Sequence, residues 1–203
     1  MSKGRIIFAT KNNHKMKEIR EILDGLGYEI LSMTEAGVDI DVVEDGTTFE
    51  ENALIKSRTI RDHVKNAIVL SDDSGLEVDY LNGQPGIYSA RWMGEDTSYD
   101  IKNQKLLNLL EGVPEEERTA RFVCAIGAAF PDGSTEVVRA TMEGRIGYEI
   151  EGENGFGYDP IFYLPECGCS SAAISPEKKN ELSHRGKGLR MMREIMEKKL
   201  CVC

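Results

Sequence analysis

The first thirty-two residues place the heaviest constraint on the fold. Arg5 to Ala9 is an apolar, β-branched run and reads as a buried strand. Thr10 to Asn13 is a polar turn. Met16, Ile19, Ile22, Leu23 and Leu26 then recur at helical spacing until Gly25 and Gly27 end the pattern, and Tyr28 to Ser32 reads as a second strand. A strand, a helix and a strand in this order commit the chain to a parallel or mixed sheet with helices on its faces, because a parallel neighbour is reached only by such a crossover.

The rest of the chain extends that plan. Residues 35–46 are acidic and read as a loop. Thr48-Phe49-Glu50-Glu51 is a capping box opening a helix that runs to about Asn66. Ala67 to Ser71 is another buried strand, ending at Asp72-Asp73-Ser74-Gly75. Residues 81–86 are turn-rich. Ser98 caps a helix carrying Ile101, Leu106, Leu107 and Leu110, stopped by Gly112 and Pro114. Thr119–Phe130 and Thr135–Met142 predict a long hairpin across Pro131-Asp132-Gly133-Ser134, and Gly144–Ile150 extends it. A Gly-rich loop covers 151–157, a short strand 161–164, and a last helix runs from about Glu177 to Lys199 with a break near His184. No repeat or linker interrupts the 203 residues, and the expectation is one α/β domain over 1–203 in which the hairpin builds a second lobe, with a cleft between it and the strand–helix–strand core.

Charge narrows the function. The formal net charge is −10. Glu21 to Ile55 holds ten acids and no Lys, Arg or His, so this stretch carries the whole imbalance. Both ends of the chain are basic: six Lys/Arg against one acid in residues 1–20, and eight against three in 178–199. The acidic balance argues against non-specific binding to nucleic-acid polymers. No apolar run reaches the roughly 18 residues that cross a bilayer, and the opening apolar run is too short for a signal-peptide core. The five cysteines (Cys124, Cys167, Cys169, Cys201, Cys203) are odd in number, and with no secretion signal before them they fit a reducing cytoplasm. The two Cys-x-Cys pairs do not have zinc-knuckle spacing.

Five polar clusters fall at the ends of the expected elements. Thr10-Lys11-Asn12-Asn13-His14-Lys15 joins a strand to a helix N-terminus, where backbone N–H groups suit a phosphate; the plain alternative is an ordinary cap with surface lysines. Asp72-Asp73-Ser74-Gly75 places two carboxylates side by side, which repel unless a cation or a proton separates them; magnesium takes such hard oxygen ligands, and a simple turn is the alternative. Glu44 stands in the acidic loop, where most acids are merely solvated. Phe156-Gly157-Tyr158-Asp159 offers an aromatic face and a carboxylate to a planar ring, or else packed aromatics at a strand entry. Ser183-His184-Arg185-Gly186, with Lys178 and Lys179 before it, suits oxygen acceptors.

Taken in order, Phe8-Ala9-Thr10-x-Asn12-x-x-Lys15, Thr48-Phe49-x-Glu51-Asn52-Ala53-x-x-Lys56, Asp72-Asp73-Ser74-Gly75-Leu76-x-Val78-Asp79, Pro85-Gly86-Ile87-Tyr88-Ser89-Ala90-Arg91, Phe156-Gly157-Tyr158-Asp159-Pro160 and Ser183-His184-Arg185-Gly186 closely resemble the inosine triphosphate pyrophosphatase family, the XTP/dITP diphosphatases, over residues 5 to 195. The resemblance implies an elongated mixed central sheet with two lobes flanking a deep substrate cleft. It implies magnesium-dependent hydrolysis of ITP, dITP and XTP to the monophosphate and pyrophosphate, in a cytoplasmic homodimer. By motif, Thr10, Lys11, Asn12, Asn13, His14 and Lys15 hold the phosphates and Lys56 assists. Glu44 and Asp73 bind magnesium, with Asp72 close by. Asp73 is the general base, and Ser74 contacts substrate. Phe156, Gly157, Tyr158 and Asp159 stack on and bond the base, joined by Lys179, His184 and Arg185. The family's first loop often carries Gly where this chain has Lys11 and His14. The alternatives are an aspartate-dependent phosphatase releasing orthophosphate and a non-catalytic nucleotide binder. The phosphatase pattern spaces its two aspartates two residues apart on one side of the chain, whereas adjacent aspartates on a strand point to opposite sides.

Overall fold

A computed structural model of the chain describes residues 4–10 and 13–200. Eight strands among these form one mixed sheet: β1 (Arg5–Phe8), β2 (Glu29–Ser32), β3 (Ala67–Val78), β4 (Gln84–Pro85), β5 (Thr119–Ala129), β6 (Thr135–Ile146), β7 (Phe162–Leu164) and β8 (Cys169–Ser170). The strand order is β2-β1-β3-β5-β6-β7-β8, with β4 paired to β3. β1 runs parallel to β2 and to β3, with Ile7 opposite Leu31 on one side and Val69 on the other. The helices are α1 (Asn13–Leu23), α2 (Phe49–His63), α3 (Tyr99–Leu109), α4 (Pro176–Leu182) and α5 (His184–Leu200). The chain divides into two compact units, one comprising residues up to Asp73, Cys124–Ala140 and from Arg185 onward, the other Ser74–Val123 and Thr141–His184.

In the first unit the sheet is covered on both faces, and strand alternation sorts the side chains. Ile6, Phe8, Ile68 and Leu70 pack with Met16, Ile19 and Leu23 of α1 and Leu189, Met192 and Met196 of α5. Ile7, Ala9, Ala67 and Val69 face the other way, onto Ile60 of α2. This period of two fixes where each later residue of β3 points. α1 and α5 each present these apolar residues at i, i+3 and i+7, and Gly25 and Gly27 close the α1 region at φ +84 and +76, a backbone conformation that glycine adopts without strain. Gly127 marks a close approach: a Cβ there would meet the carbonyl carbon and oxygen of Ala53 in α2 at 2.9 Å. The second unit has its own core, in which Leu76, Val78, Leu106, Leu110, Phe122, Met142, Ile146 and Phe162 are buried together.

Three local expectations are corrected. β3 does not end at Ser71; it continues through Asp72-Asp73-Ser74-Gly75 to Val78, because Leu76 and Val78 resume the buried pattern. The two aspartates are therefore strand residues, not turn residues. The acidic segment 38–46 has no ladder hydrogen bonds, yet its burial alternates as a strand's does: Val38, Ile40, Val42 and Glu44 lie inward while Asp39, Asp41, Val43 and Asp45 are exposed. Ile101 is 55% exposed, and α3 instead buries Lys102, Asn103 and Leu106. The break near His184 appears as the junction of α4 and α5 at Ser183.

Candidate functional site

The continuation of β3 places Asp72 and Asp73 on opposite faces of the sheet. Asp72 shares the face of Ile68 and Leu70 and meets α1 and α5. Lys15 Nζ donates to its two carboxylate oxygens at 3.0 and 3.3 Å, and Arg185 Nε donates at 3.2 Å. Arg185 also lies 3.6 Å from Glu18. Burial on its own would raise the Asp72 pKa, but Lys15, Arg185 and Lys56 outweigh it and hold the carboxyl well below the usual carboxylate range. Arg185, itself buried, is held strongly protonated: desolvation opposes its charge and Asp72 restores it.

Asp73 shares the face of Ala67 and Val69 and meets α2. Its Oδ2 is buried without a hydrogen-bond partner, as are Asn52 Nδ2 and, next along the strand, Ser74 Oγ. Burial pushes the Asp73 carboxyl up to about 6; Lys56 and the neighbouring Asn52 amide pull it down, while Glu44 and Asp72 push it further up. Lys56 Nζ donates to the Asp72 carbonyl at 3.0 Å and pairs with Glu44 Oε1 at 2.8 Å. Burial disfavours the Lys56 charge, but Asp72, Glu44 and Asp73 more than compensate and raise its pKa. Glu44 reaches this point because it is the last inward residue of the alternating strap. The strap is pinned at its end: Asn52 Oδ1 accepts from Gly46 N at 2.9 Å, and Glu51 Oε2 accepts from Thr47 N at 2.7 Å. Thr48 caps α2 through Glu51 N, so the helix start fixes both the cap and the strap.

Thr10, Lys15, Glu44, Lys56 and Asp72 line a pocket of about 250 Å³ together with the apolar Ala9, Met33, Ile40, Val42 and Ile60; Asp73 is not part of that lining. Lys11 and Asn12 lie outside the described residues, as do the side chains of Asn13 and His14.

In the second unit, Phe156 is 58% exposed on a loop held from below. Asp159 is buried. Its Oδ2 accepts from Phe156 N at 2.8 Å and from Lys179 Nζ, and its Oδ1 accepts from Ser171 Oγ at 2.9 Å. Lys179 Nζ stands 5.3 Å from the centre of the Phe156 ring. Tyr158 points inward; its hydroxyl donates to the Ser89 carbonyl at 2.8 Å, and its ring meets Tyr99 edge-on at 5.2 Å. His184 lies stacked on Phe122 with ring centres 5.0 Å apart.

Three expected site residues thus take different surroundings. Arg185 is turned to Asp72 and Glu18, because a buried carboxylate draws in the nearest cations. Asp159 has both oxygens committed to protein donors, and Tyr158 is core; both shape the loop that displays Phe156. Asn52, Ser171, Tyr99 and Asn103 join these clusters without having been singled out. Asn52 is the one with a visible signal, since it lies three residues after the helix's first residue in the motif around Thr48.

The Ham1 family model matches residues 6–195. A protein of Caldanaerobacter subterraneus subsp. tengcongensis named dITP/XTP pyrophosphatase is 50% identical over 197 residues, covering 97% of this chain and 98% of that one. One of the same name from Clostridium perfringens is 46% identical over 198 residues, covering 95% and 97%. The solved structure of the Staphylococcus aureus Ham1 protein superposes with a TM-score of 0.88 at 42% identity, covering 96% of this chain and 99% of that one. With its mixed α/β fold and a family match that runs from β1 into α5, this chain belongs to the Ham1 family.

Proposed function

We propose that the chain hydrolyses non-standard purine nucleoside triphosphates (ITP, dITP and XTP) to the monophosphate and pyrophosphate. The relatives named dITP/XTP pyrophosphatase, nearly half or more identical over almost their whole lengths, support that substrate class. The observation that carries the chemistry is the buried, unpartnered Asp73 Oδ2 beside the Lys56–Glu44 pair. A buried carboxylate oxygen with no hydrogen bond of its own, next to a second carboxylate, is a fitting place for a divalent cation. Among the described residues no cluster of three or more His, Cys, Asp or Glu donors forms, so Glu44 and Asp73 would hold an ion that keeps several waters, as magnesium does. When bound, magnesium would supply charge neutralisation for the pyrophosphate leaving group.

The residues of the chain do the rest. Asp73, buried beside Lys56 and Glu44, accepts the proton of the water that attacks the α-phosphorus. Lys15, Lys56 and the Thr10-to-Lys15 motif meet the triphosphate charge, which is positioning and electrostatics rather than covalent help. Asp72 keeps Lys15 and Arg185 in place. Phe156 stacks on the base, and Lys179 and His184 donate toward the purine six-position oxygen. Adenine presents an amino group there, and a buried donor left unpaired costs about 1–3 kcal/mol, so two mismatches give a discrimination of order a hundredfold. On the family resemblance the working form is a cytoplasmic homodimer; among the described residues no helix is long and apolar enough to cross a membrane.

The test is a panel of purine and pyrimidine triphosphates, with magnesium and with a chelator, following pyrophosphate and orthophosphate separately. Pyrophosphate from ITP, dITP and XTP, lost with the chelator, is the expected result. Orthophosphate as the first product would favour the aspartate-dependent phosphatase, and equal turnover of every base would remove the base-reading roles.

A further inference from the structure

The helix α3 is packed inside out. It exposes Ile101 and buries Lys102 and Asn103, each at 1% exposure. Burying such groups in place of an apolar side chain costs stability, so their partners are informative. Tyr99, Lys102, Asn103 and Leu106 lie at i, i+3, i+4 and i+7, on one face. Lys102 Nζ donates to the Ala90 carbonyl at 2.6 Å, beside the Ser89 carbonyl that receives the Tyr158 hydroxyl. Asn103 Nδ2 donates to the Gly157 carbonyl at 3.1 Å. The Tyr99 ring meets Tyr158 edge-on and lies 3.5 Å from where a Gly157 Cβ would stand. One helix face therefore grips the loop that displays Phe156, in the middle of that loop.

Gly157 is the residue that most needs gripping. Its φ is +72, and with no Cβ its peptide turns over more easily than those of Phe156 and Tyr158 on either side. In a trans peptide the carbonyl and the following N–H point in opposite directions. By holding the Gly157 carbonyl toward α3, Asn103 turns the Tyr158 N–H to the other side of the loop. A flipped peptide would show an acceptor there in place of a donor.

We propose that Asn103 is a positioning residue for base recognition: its amide locks the Gly157 peptide, so that the loop beside Phe156 keeps one fixed pattern of donors. This rests on the assignment of Phe156 and its loop to the base. It also accounts for the polarity of the helix face, which packing does not require. The Asn103 Oδ1 is buried without a partner, so the residue contributes through one hydrogen bond and leaves an unsatisfied acceptor behind. A side chain retained at that cost for stability alone would be a poor choice.

The experiment compares Asn103→Ala, Asn103→Asp and Phe156→Ala with the parent protein, measuring KM and kcat for ITP and GTP and the thermal midpoint. Loss of one hydrogen bond corresponds to about a fivefold to tenfold effect. Asn103→Ala is expected to raise KM for ITP by that factor, leave kcat within about twofold and reduce the preference for ITP over GTP. Its thermal midpoint should fall, since the Gly157 carbonyl loses its donor and a buried side chain is cut back, so the split between KM and kcat and the ITP preference carry the test. Asn103→Asp, nearly the same shape, sets an oxygen against the Gly157 carbonyl and should be worse than Asn103→Ala; it carries the comparison if the alanine variant does not fold. Unchanged KM and preference in both Asn103 variants, with KM raised in Phe156→Ala, would overturn the inference alone. So would an equal fall of kcat on both substrates with KM and the ITP preference unchanged, the mark of a purely structural side chain. No effect in Phe156→Ala either would take away the base loop itself, and the inference with it.

Discussion

Asp72 and Asp73 are neighbours in one strand, yet their replacement by asparagine should move stability in opposite directions. Asp72 is buried against Lys15 and Arg185. Removing one partner from a buried charge cluster costs about 3–5 kcal/mol, and the lower end applies because Lys15 is partly solvated and Arg185 keeps Glu18. In a chain of this size that is a fall in thermal midpoint of roughly 6–12 °C. Asp73 is the reverse case. A carboxyl that titrates near 6 when folded, rather than near 4, is destabilising when ionised, by about 3 kcal/mol at pH 7. Asp73→Asn removes that cost, so in chelator-treated buffer at pH 7 the midpoint should rise by several degrees while turnover disappears. The sign fixes the pH window. Because the folded pKa is raised, the penalty is absent below about pH 4, grows between 4 and 6 and is complete above 6. The advantage of Asp73→Asn should therefore shrink as pH falls from 7 and vanish near 4. Scanning fluorimetry of both variants across pH 4–8, with turnover at pH 7, decides the matter. If both substitutions shift the midpoint the same way, the assignment of the two carboxylates to opposite faces with opposite electrostatics is wrong.

Two further outcomes test the scaffold around this strand. Gly127→Ala should lower the thermal midpoint by roughly 5 °C, because the added methyl meets the α2 backbone at Ala53, which has no flexible end to move aside; an unchanged midpoint would mean α2 is not held at that distance. Glu35 accepts from Ser32 N and Ser32 Oγ and from Arg20, and those bonds lower its pKa to about 2. Its stabilisation is present above about pH 4.5 and lost as pH falls toward 2, so Glu35→Gln should flatten the acid limb of the stability curve there, by no more than about 1 kcal/mol for so exposed a pair; identical acid limbs would contradict this.

What was legible in the sequence follows its periodicity. The opening strand–helix–strand, the capped helix at Thr48 and the break at Ser183 all rest on local patterns, which the structure keeps because no tertiary contact opposes them. Two patterns were misread for the same reason. Asp-Asp-Ser-Gly is excellent turn chemistry, but β3 passes straight through it, since Lys15 and Arg185 neutralise Asp72 and the buried alternation resumes at Leu76. The strap from Val38 to Glu44 looks like an acidic loop by composition, although its alternation of apolar and acidic residues is that of a half-buried strand. The inward turn of Lys102 and Asn103 left no trace in sequence, because polarity normally marks the outer face of a helix and only the neighbouring loop explains the inversion.

The net charge of −10 illustrates the difference between composition and placement. Of the ten acids between Glu21 and Ile55, Glu44 alone lies on the inward side of the strap and lines the pocket. Asp39, Asp41 and Asp45, at the outward positions of the same alternation, face solvent. Shifting the strap by one residue would exchange the two sets and bury aspartates against Met33 and Ile60. The apolar residues Val38, Ile40 and Val42 thus do more than fill space. By fixing the register they select which acid meets Lys56, and Asn52 then fixes the end of the strap through Gly46. The two carboxylates that act on Lys56 are brought to it in the same way from both directions: alternation in β3 delivers Asp73 to the α2 face, and alternation in the strap delivers Glu44 to it.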